Sequence, residues 1–286
     1  MPLAYVNGEY CQPEEAVVPA LDRGFIFGDG VYEVISCING KLFLLEEHLE
    51  RYTNGVKEIM IENAPSAAEL AELCREIVAR DGLKNGYVYV QVTRGAAPRV
   101  HHFPSAIKPT VFLFTAPAHP PSQEQKKNGV FTIMVPDERW DRCNVKSVNL
   151  LPNCLAKEKA KRAGAYEAIM VRKDVGVTEG SSSSVFAVIG ETLYTSPNGP
   201  RILPGVTRNT VVKLARQLGI KVKEIFLSPE DFLKANEVFL TGTSFNVLPV
   251  KQIDQTRFPV ENYRITFQLQ DELERKIKEF INSDNV

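Results

Sequence analysis

A proline-rich polar stretch near the middle of the chain, APAHPPSQEQKKNG at residues 116–129, most constrains what the chain can fold into. Helices and central strands do not tolerate this composition, so we expect a domain boundary here. The length of 286 residues also suits two domains of roughly 150 residues each. The sequence therefore predicts a small N-terminal domain over residues 1–118, a linker over 119–125 and a large C-terminal domain over 126–286.

Asn-Gly pairs mark two tight hairpins in the N-terminal part. One pair is Asn7-Gly8, within YVNGEY, and the other is Asn39-Gly40, between two apolar strands. Apolar residues at helical spacing predict a helix over 45–59, and a serine–glutamate capping box predicts another that ends at Gly82. The segments GYVYVQVTRG and TVFLFT follow as strands.

The C-terminal part also mixes strands and helices. VFTIMV, YEAIMV, SVFAVI and EVFLTGTS are predicted as strands. CLAKEKAKRAGA, residues 207–218 and the amphipathic segment 263–281 are predicted as helices. Because the regular βαβ rhythm of a nucleotide-binding sheet is missing, we predict an α+β fold in two domains.

Charge and cysteine content restrict the partners and the compartment. A formal net charge of −1, from 34 basic and 35 acidic residues, disfavours nucleic acid and anionic membranes as partners. The five cysteines form no CxxC pair, which argues against a disulfide framework or a zinc site. Because the N-terminus resembles no signal peptide and no apolar run is long enough to span a bilayer, we expect a cytoplasmic protein.

Two stretches are suited to holding a phosphate. In LPGVTRNT, at 203–210, a Pro-Gly turn leads into a helix whose free N–H groups attract anions, with the Thr207 hydroxyl nearby. In FLTGTSFN, at 239–246, hydroxyl residues cluster at the end of a strand. Taken alone, the first stretch is more simply explained by an ordinary threonine N-cap, and an edge strand with threonines is the alternative for the second.

Two further stretches carry charged or polar groups suited to a ligand. In VTEGSSSSVF, the carboxylate of Glu179 is able to accept a hydrogen bond from a protonated ring nitrogen, and a solvated hairpin loop is the alternative. In TRGAAPRVHHF, Arg99 and His101 follow a strand, and arginine binds carboxylates in pairs of hydrogen bonds. A solvated loop and a histidine metal site are the alternatives. No acidic residue lies at metal-ligand spacing, so we expect no metal.

Lys146, in RWDRCNVKSVNLL, lies in a segment that alternates between polar and apolar residues, where an ammonium group has no evident structural purpose. This stretch and LDRGFIFGDGVYEV, QVTRGAAPRVHHFP, VTEGSSSSVF and ILPGVTR occur in the order found in fold type IV pyridoxal-phosphate (PLP) aminotransferases. The sequence resembles this family from end to end, and most of all its D-amino acid aminotransferases. The resemblance implies two α/β domains with the cofactor at their interface and the cofactor lysine in the larger one.

The resemblance also implies roles for individual residues. Lys146 would form the internal aldimine with PLP and carry the proton between Cα and C4′. Glu179 would keep the pyridine nitrogen protonated, and Arg51, otherwise a helix-surface arginine, would bind the phosphate. The remaining cofactor contacts would be Leu203, Val206, Thr207, Thr243 and Ser182.

Substrate binding and assembly follow from the same resemblance. Tyr32, otherwise a core aromatic, would bind the substrate carboxylate with Arg99 and His101, and the last two would come from the neighbouring subunit of a homodimer. Ser184 and Gly242 depart from the family, in which asparagine and serine are usual, and Pro152 also departs. None of these departures removes a group on which the chemistry depends.

The implied function is ping-pong transamination between D-amino acids, such as D-alanine and D-glutamate, and 2-oxo acids such as 2-oxoglutarate. The alternatives are an L-branched-chain or (R)-amine transaminase, a lyase of the aminodeoxychorismate type, and a binding protein that has lost activity. Arg99 and His101 favour the D-specific branch. The combination of Lys146, Glu179 and Arg51 argues against lost activity.

Overall fold

The computed structural model of the protein describes residues 2–283. The chain forms two compact units, each with its own sheet. The first contains the chain up to His119 and the segment Val145–Asn149, and the second contains Pro120–Asn144 and the chain from Leu150 onward. The segment around Lys146, which the sequence assigns to the C-terminal domain, thus clusters with the first unit. The bounds of independently folding domains and of the linker stay a prediction.

The first unit contains a six-stranded antiparallel sheet in the order β2-β1-β6-β5-β3-β4. Its elements are β1 Ala4–Val6, β2 Glu9–Cys11, a 3₁₀ turn Pro13–Glu15, α1 Arg23–Phe27, β3 Gly30–Ile38, β4 Lys41–Leu42, α2 Leu45–Glu58, α3 Ala67–Asp81, β5 Asn85–Thr93 and β6 Thr110–Pro117. Both predicted hairpins are confirmed. Asn7 and Gly8 have φ of 50° and 111°, and Asn39 and Gly40 have φ of 51° and 78°, as such two-residue turns require.

The two faces of this sheet differ because side chains alternate along each strand. One face is buried with α2 and α3 in an apolar core that includes Ile35, Val90 and Leu113. The other face carries a half-buried aromatic row, in which Tyr89 stacks on Tyr32 with centroids 5.6 Å apart and on Phe114 at 4.9 Å. Tyr32 is therefore not the core aromatic of the alternative prediction.

The second unit contains a nine-stranded mixed sheet in the order β12-β11-β10-β13-β14-β7-β8-β9, with β15 paired to β14. Its elements are α4 Gln123–Asn128, β7 Val130–Pro136, α5 Leu151–Arg162, β8 Glu167–Arg172, β9 Gly176–Gly180, β10 Ser184–Ile189, β11 Thr192–Thr195, α6 Val206–Gln217, β12 Lys221–Glu224, α7 Pro229–Leu233, β13 Glu237–Gly242, β14 Asn246–Ile253, β15 Thr256–Arg257, a 3₁₀ turn Val260–Asn262 and α8 Ile265–Asn282. Phe186 and Phe239 stack at 4.8 Å on the neighbouring strands β10 and β13.

One expectation about the proline-rich stretch is wrong, because α4 lies within it. Ser122 caps this helix in a capping box with Gln125, and the prolines all precede the cap, where they do not disturb helical hydrogen bonds. Within residues 2–283, no helix has both the length and the apolar composition needed to cross a bilayer.

Candidate functional site

Lys146 is held by its backbone to the beginning of β3. Its carbonyl accepts a hydrogen bond from the N–H of Tyr32 at 2.9 Å, and the N–H of Val148 donates to the carbonyl of Gly30 at 3.1 Å. These bonds flank an isolated antiparallel bridge between Val31 and Ser147. The residues on either side of Lys146 are buried and Lys146 is half-buried, as the alternating sequence predicts.

The side chain of Lys146 lies over an aromatic ring. Its Nζ atom is 4.2 Å from the centroid of the Tyr32 ring, within the range of a cation–π contact. Tyr32 is supported in turn by its stacking on Tyr89, whose hydroxyl donates to Oε1 of Gln91 at 2.7 Å. The first unit therefore brings Lys146 and Tyr32 together and orients the amine.

Arg51 belongs to a buried charge cluster with Glu33 and His48. Its Nε and Nη2 atoms donate to the two carboxylate oxygens of Glu33 at 2.8 and 2.7 Å. Nδ1 of His48 lies 2.8 Å from Oε2 of the same carboxylate. The Arg51 side chain is only 9% exposed, so the alternative of a helix-surface arginine is wrong. Neither Glu33 nor His48 stands out in the sequence, because the cluster joins a strand to a helix.

The protonation of this cluster follows from its environment. Burial alone would raise the pKa of Glu33, but the charge and hydrogen bonds of Arg51 lower it to about 2. Burial lowers the pKa of His48 and outweighs the raising effect of the Glu33 carboxylate, and the positive charges of Arg51 and Lys146 lower it further. A neutral His48 therefore donates its Nδ1 hydrogen to Glu33, and the carboxylate stays ionised to fix Arg51.

Arg99 and His101 lie on an exposed arm, residues 95–108, which connects β5 to β6. Both side chains lie by the ring of Phe27. The guanidinium carbon of Arg99 is 5.3 Å from its centroid, and the His101 ring is 5.6 Å from it. The structure thus brings these two predicted carboxylate ligands together.

Glu179 is the central charge of the second unit. Its Oε1 atom accepts hydrogen bonds from Nη1 of Arg139 and, at 2.9 Å, from the N–H of Leu203, so Oε2 accepts neither of them. Arg139 is itself fixed by Asp137, which accepts from its Nε and Nη2 at 2.9 and 2.8 Å. Sequence reasoning missed Arg139, because its contact with Glu179 spans two strands and no local pattern marks it.

The charges in this cluster oppose one another. Burial raises the pKa of Glu179, against the lowering effect of the Arg139 charge. Burial acts in the same direction on Asp137, but hydrogen bonds from Arg139 lower its pKa below the ordinary value. A cationic group close to Glu179 would favour its ionised form.

The serine-rich turn is organised by a buried carboxylate, that of Glu167. Its two oxygens accept hydrogen bonds from the hydroxyls of Ser181, Ser182 and Ser183. The Ser182 hydroxyl bond is 3.0 Å long, and the Ser182 N–H donates as well at 3.3 Å. A solvated hairpin loop is therefore wrong for this stretch, since the other serines are buried even though Ser182 is exposed.

The beginning of α6 offers free N–H groups. The N-cap is Gly205, which has no side chain to cap the helix, so the alternative of a threonine N-cap is wrong. Val206 and Thr207 are the first two helical residues and are buried. A Cβ atom on Gly205 would lie 2.7 Å from the Ser184 hydroxyl oxygen, so glycine keeps this approach open.

Hydroxyl groups lie on the strands next to this helix. Ser184 on β10 pairs with Thr241 on β13. The buried Oγ1 atom of Thr241 has no hydrogen-bond partner among residues 2–283. Thr243 follows β13 and Leu203 precedes α6, and both are half-buried. An uncapped helix N-terminus with hydroxyls nearby is suited to an anion such as a phosphate.

The comparisons with known proteins identify relatives along nearly the whole chain. The family model of amino-transferase class IV matches residues 30–253. A D-alanine aminotransferase of Staphylococcus epidermidis is 42% identical over 255 residues, which cover 89% of this chain and 90% of the relative. A D-alanine aminotransferase of Bacillus licheniformis is 43% identical over 248 residues, 87% of each chain.

Solved structures agree in fold. A branched-chain amino acid aminotransferase of T.th., solved with pyridoxamine 5'-phosphate, has a TM-score of 0.87 at 26% identity and covers 96% of this chain and 93% of its own. The 4-amino-4-deoxychorismate lyase of Pseudomonas aeruginosa has a TM-score of 0.85 at 28% identity and covers 96% and 98%.

The fold and these residues define a PLP-dependent transaminase with an α+β fold of type IV. Within that class, the chain belongs to the family of class IV aminotransferases. Taken separately, each unit contains groups whose chemistry fits part of this cofactor. The first offers an oriented lysine amine and a fixed arginine, and the second offers a buried carboxylate and an uncapped helix N-terminus.

The departures from the family have structural settings. A Cβ atom on Gly242 would lie 2.7 Å from the ring of Phe245, so the usual serine has no room unless that ring moves. Pro152 lies in the first turn of α5, where proline costs no helical hydrogen bond. Ser184 places a short hydroxyl beside Gly205.

Proposed function

We propose that the chain is a D-amino acid:2-oxoacid transaminase of the D-alanine type. It moves the amino group of D-alanine or D-glutamate to a 2-oxo acid such as 2-oxoglutarate in two half-reactions. The observation that carries the proposal is the identity of 42% with a D-alanine aminotransferase over 89% of the chain. The pairing of Arg99 with His101 on one aromatic ring supports it, since both side chains suit a carboxylate.

Bound PLP supplies an aldehyde for the amino group and a protonated ring that draws electrons away from Cα. We assign the covalent attachment of the cofactor to the Nζ atom of Lys146. The same nitrogen would take the proton from Cα and deliver it to C4′, and its position over the Tyr32 ring limits the directions from which it can approach. The carboxylate of Glu179 holds the proton on the ring nitrogen, with Arg139 fixing its orientation.

The cofactor phosphate is assigned to Arg51, to the N-terminal residues Val206 and Thr207 of α6, and to Thr243. Glu33 and His48 hold the Arg51 guanidinium in one orientation, which reduces the entropy lost on binding. Leu203 is assigned to the ring face, and Ser182 is assigned a position near the cofactor.

We assign the substrate carboxylate to Tyr32 and to Arg99 and His101 of a neighbouring subunit. Exposed apolar side chains on the first unit support a homodimer to the extent that they form one surface, because a large exposed apolar patch marks an interaction site. They are Val17, Val18, Leu21, Phe25, Val100 and Phe103. We also propose a cytoplasmic location, supported by five cysteines that are all free thiols.

Transamination by an L-branched-chain or (R)-amine enzyme is the nearest alternative, and a lyase of the aminodeoxychorismate type is another. The branched-chain enzyme and the lyase are related in fold at 26% and 28% identity, well below the D-specific relatives. To separate them, the enzyme is given 2-oxoglutarate with D-alanine, L-leucine or (R)-1-phenylethylamine, and the chirality of the glutamate formed is determined. The proposal predicts D-glutamate from D-alanine, whereas L-glutamate from L-leucine would contradict it. Pyruvate released from aminodeoxychorismate without an acceptor would identify a lyase.

A further inference from the structure

We infer that Asp29, Arg94 and Phe103 position the arm that carries Arg99 and His101, and that they thereby set the affinity for the substrate carboxylate. The inference rests on the proposed function, because it assumes that these two arm residues bind substrate. Phe103 belongs to the arm itself, whereas Asp29 and Arg94 lie outside it.

Asp29 joins two buried arginines. Its Oδ2 atom accepts from Nε of Arg23 at 2.7 Å and from Nε of Arg94 at 2.8 Å, and its Oδ1 atom accepts from Nη2 of Arg94 at 3.0 Å. The arginine side chains are 3% and 4% exposed. The two guanidinium groups have little freedom to move away from the Asp29 carboxylate, because a buried positive charge without that partner would be costly.

The arginines extend this cluster to the arm and to the body of the first unit. Arg23 donates from Nη1 to the carbonyl of Val100 at 2.6 Å and from Nη2 to the carbonyl of His101 at 3.3 Å. Arg94 donates to the carbonyls of Ile59 and Met60, both at 2.6 Å. Through Arg23, Asp29 and Arg94, the carbonyls of Val100 and His101 are therefore connected to the residues that follow α2.

Phe103 anchors the part of the arm that follows Arg99 and His101. The guanidinium carbon of Arg94 lies 3.5 Å from the centroid of its ring, and that of Arg23 lies 5.7 Å away. The ring is 47% exposed, so within one subunit it contributes little to the core and contacts its surroundings mainly through this stacking. The first and last residues of the arm lie close together. Gly95 has φ of +105°, and a Cβ atom there would lie 2.0 Å from the Lys108 carbonyl oxygen, so no other residue fits at this position without strain.

An arm held this way presents its side chains without an ordering cost at the moment of binding. If Phe103 loses its ring, Arg94 loses its hold on the arm and Arg99 samples more positions. Because the substrate carboxylate does not react, its contacts are equal in the ground state and the transition state. The loss therefore raises KM and leaves kcat unchanged.

The test compares Phe103→Leu with the ring-retaining Phe103→Tyr in the purified, PLP-loaded enzyme. We expect Phe103→Leu to raise KM for D-alanine about fivefold, the order of one cation–π contact, with kcat unchanged. Phe103→Tyr keeps KM at the wild-type value. The inhibition constant of propionate, a carboxylate without an amino group, rises in parallel with KM.

Tyr10→Leu is the matched control, because it removes another close stacking of an arginine on an aromatic ring in the first unit, where Arg80 lies 4.2 Å from the Tyr10 ring. It is expected to leave KM unchanged. Unchanged KM in Phe103→Leu, or equal losses in Phe103→Leu and Tyr10→Leu, would overturn the inference. Arg99→Gln distinguishes failure of the proposed function from failure of the positioning inference. An unchanged KM in Arg99→Gln would remove the proposed role of the arm in binding the substrate carboxylate, and the positioning inference with it. A raised KM in Arg99→Gln with a normal Phe103→Leu removes the positioning inference alone.

Discussion

Lys146 and Tyr32 are joined twice, by a backbone hydrogen bond of 2.9 Å from the Tyr32 N–H to the Lys146 carbonyl and by the contact of Nζ with the ring at 4.2 Å. The backbone hydrogen bond fixes the position of the Lys146 main chain, and the Tyr32 ring limits the positions that the Nζ atom can take. The two contacts restrict the direction of a flexible side chain, as the proposed proton transfer by Lys146 at one face of a substrate requires.

Tyr32→Phe separates the two roles of this tyrosine. The ring remains beneath Lys146, whereas the hydroxyl proposed for the substrate carboxylate is lost. We expect KM for D-alanine to rise about tenfold, as for one hydrogen bond to a charged group, and kcat to stay near the wild-type value. Steady-state kinetics measure both. Tyr87→Phe, on the same face of the sheet, is the control, and a comparable KM increase there would contradict the assignment.

Glu33→Gln tests whether Arg51 is held ready for the phosphate. The amide cannot balance the buried guanidinium, so we expect a loss of about 3 kcal/mol in the free energy of unfolding. We also expect a larger dissociation constant for PLP, measured by fluorescence titration of the apoenzyme. Glu76→Gln removes an exposed ion pair with Arg80 in the same unit and should change neither. Wild-type affinity for PLP in Glu33→Gln would refute the role.

The same cluster predicts how stability depends on pH. The pKa of Glu33 falls to about 2 from an ordinary 4.5, so its contribution is fully present above 4.5 and is lost as the pH falls towards 2. The pKa of His48 lies below its ordinary 6.5, so the unfolded state gains the proton first and stability declines as the pH drops below 6.5. Urea unfolding of the apoenzyme between pH 8 and 4, roughly, measures the part of the decline that His48 causes. His48→Gln should flatten the upper part of the decline, and an unchanged profile would contradict a neutral, buried His48.

Glu179→Gln tests the proposed partner of the ring nitrogen. An amide cannot hold a proton there, so we expect kcat to fall about a hundredfold or more while the protein stays folded. Glu237→Gln is the matched control in the second unit, because Glu237 is a buried carboxylate that accepts the N–H groups of Ile265 and Thr266 at the beginning of α8. It should lower stability and leave kcat unchanged. Equal kcat losses in both variants would argue for a general structural effect.

Gly205→Ala tests the proposed phosphate site at α6. The added methyl group would lie 2.7 Å from the Ser184 hydroxyl oxygen and crowd the free N–H groups. We expect the dissociation constant of PLP to rise about tenfold, since one such interaction is worth about 1.4 kcal/mol. Gly199→Ala adds the same methyl group where no atom lies within 4 Å, and its affinity should match wild type. Equal affinities in the two variants would place the phosphate elsewhere.

The sequence predicts local features of the fold best. Hairpins at Asn7-Gly8 and Asn39-Gly40 and the capping box of α3 are determined by a few neighbouring residues, and the structure confirms them. The prediction that the proline-rich stretch contains no helix was wrong, because it treated the composition as uniform although all the prolines precede Ser122. Beyond that residue, the tail is a sequence of ordinary helix formers.

Contacts between residues that are distant in the sequence could not be predicted from it. The pair Glu179–Arg139 spans 40 positions, and Arg23 reaches the Val100 carbonyl across 77. Charged side chains that meet across the fold leave no periodic pattern in the sequence, so their pairing and their burial can be recognised only in the structure. The residue roles that came from the family resemblance remain predictions, and the variants above test them one at a time.

The central claim is D-specific transamination carried by Lys146, and a single-turnover half-reaction tests it most directly. The PLP-loaded enzyme is mixed with D-alanine or with L-alanine in the absence of a 2-oxo acid, and the visible absorption of the cofactor and the pyruvate formed are followed. The account predicts that D-alanine removes the visible absorption with one pyruvate per site, that L-alanine does not, and that Lys146→Ala shows neither. Turnover of L-alanine in preference to D-alanine, or full activity of Lys146→Ala, would contradict it.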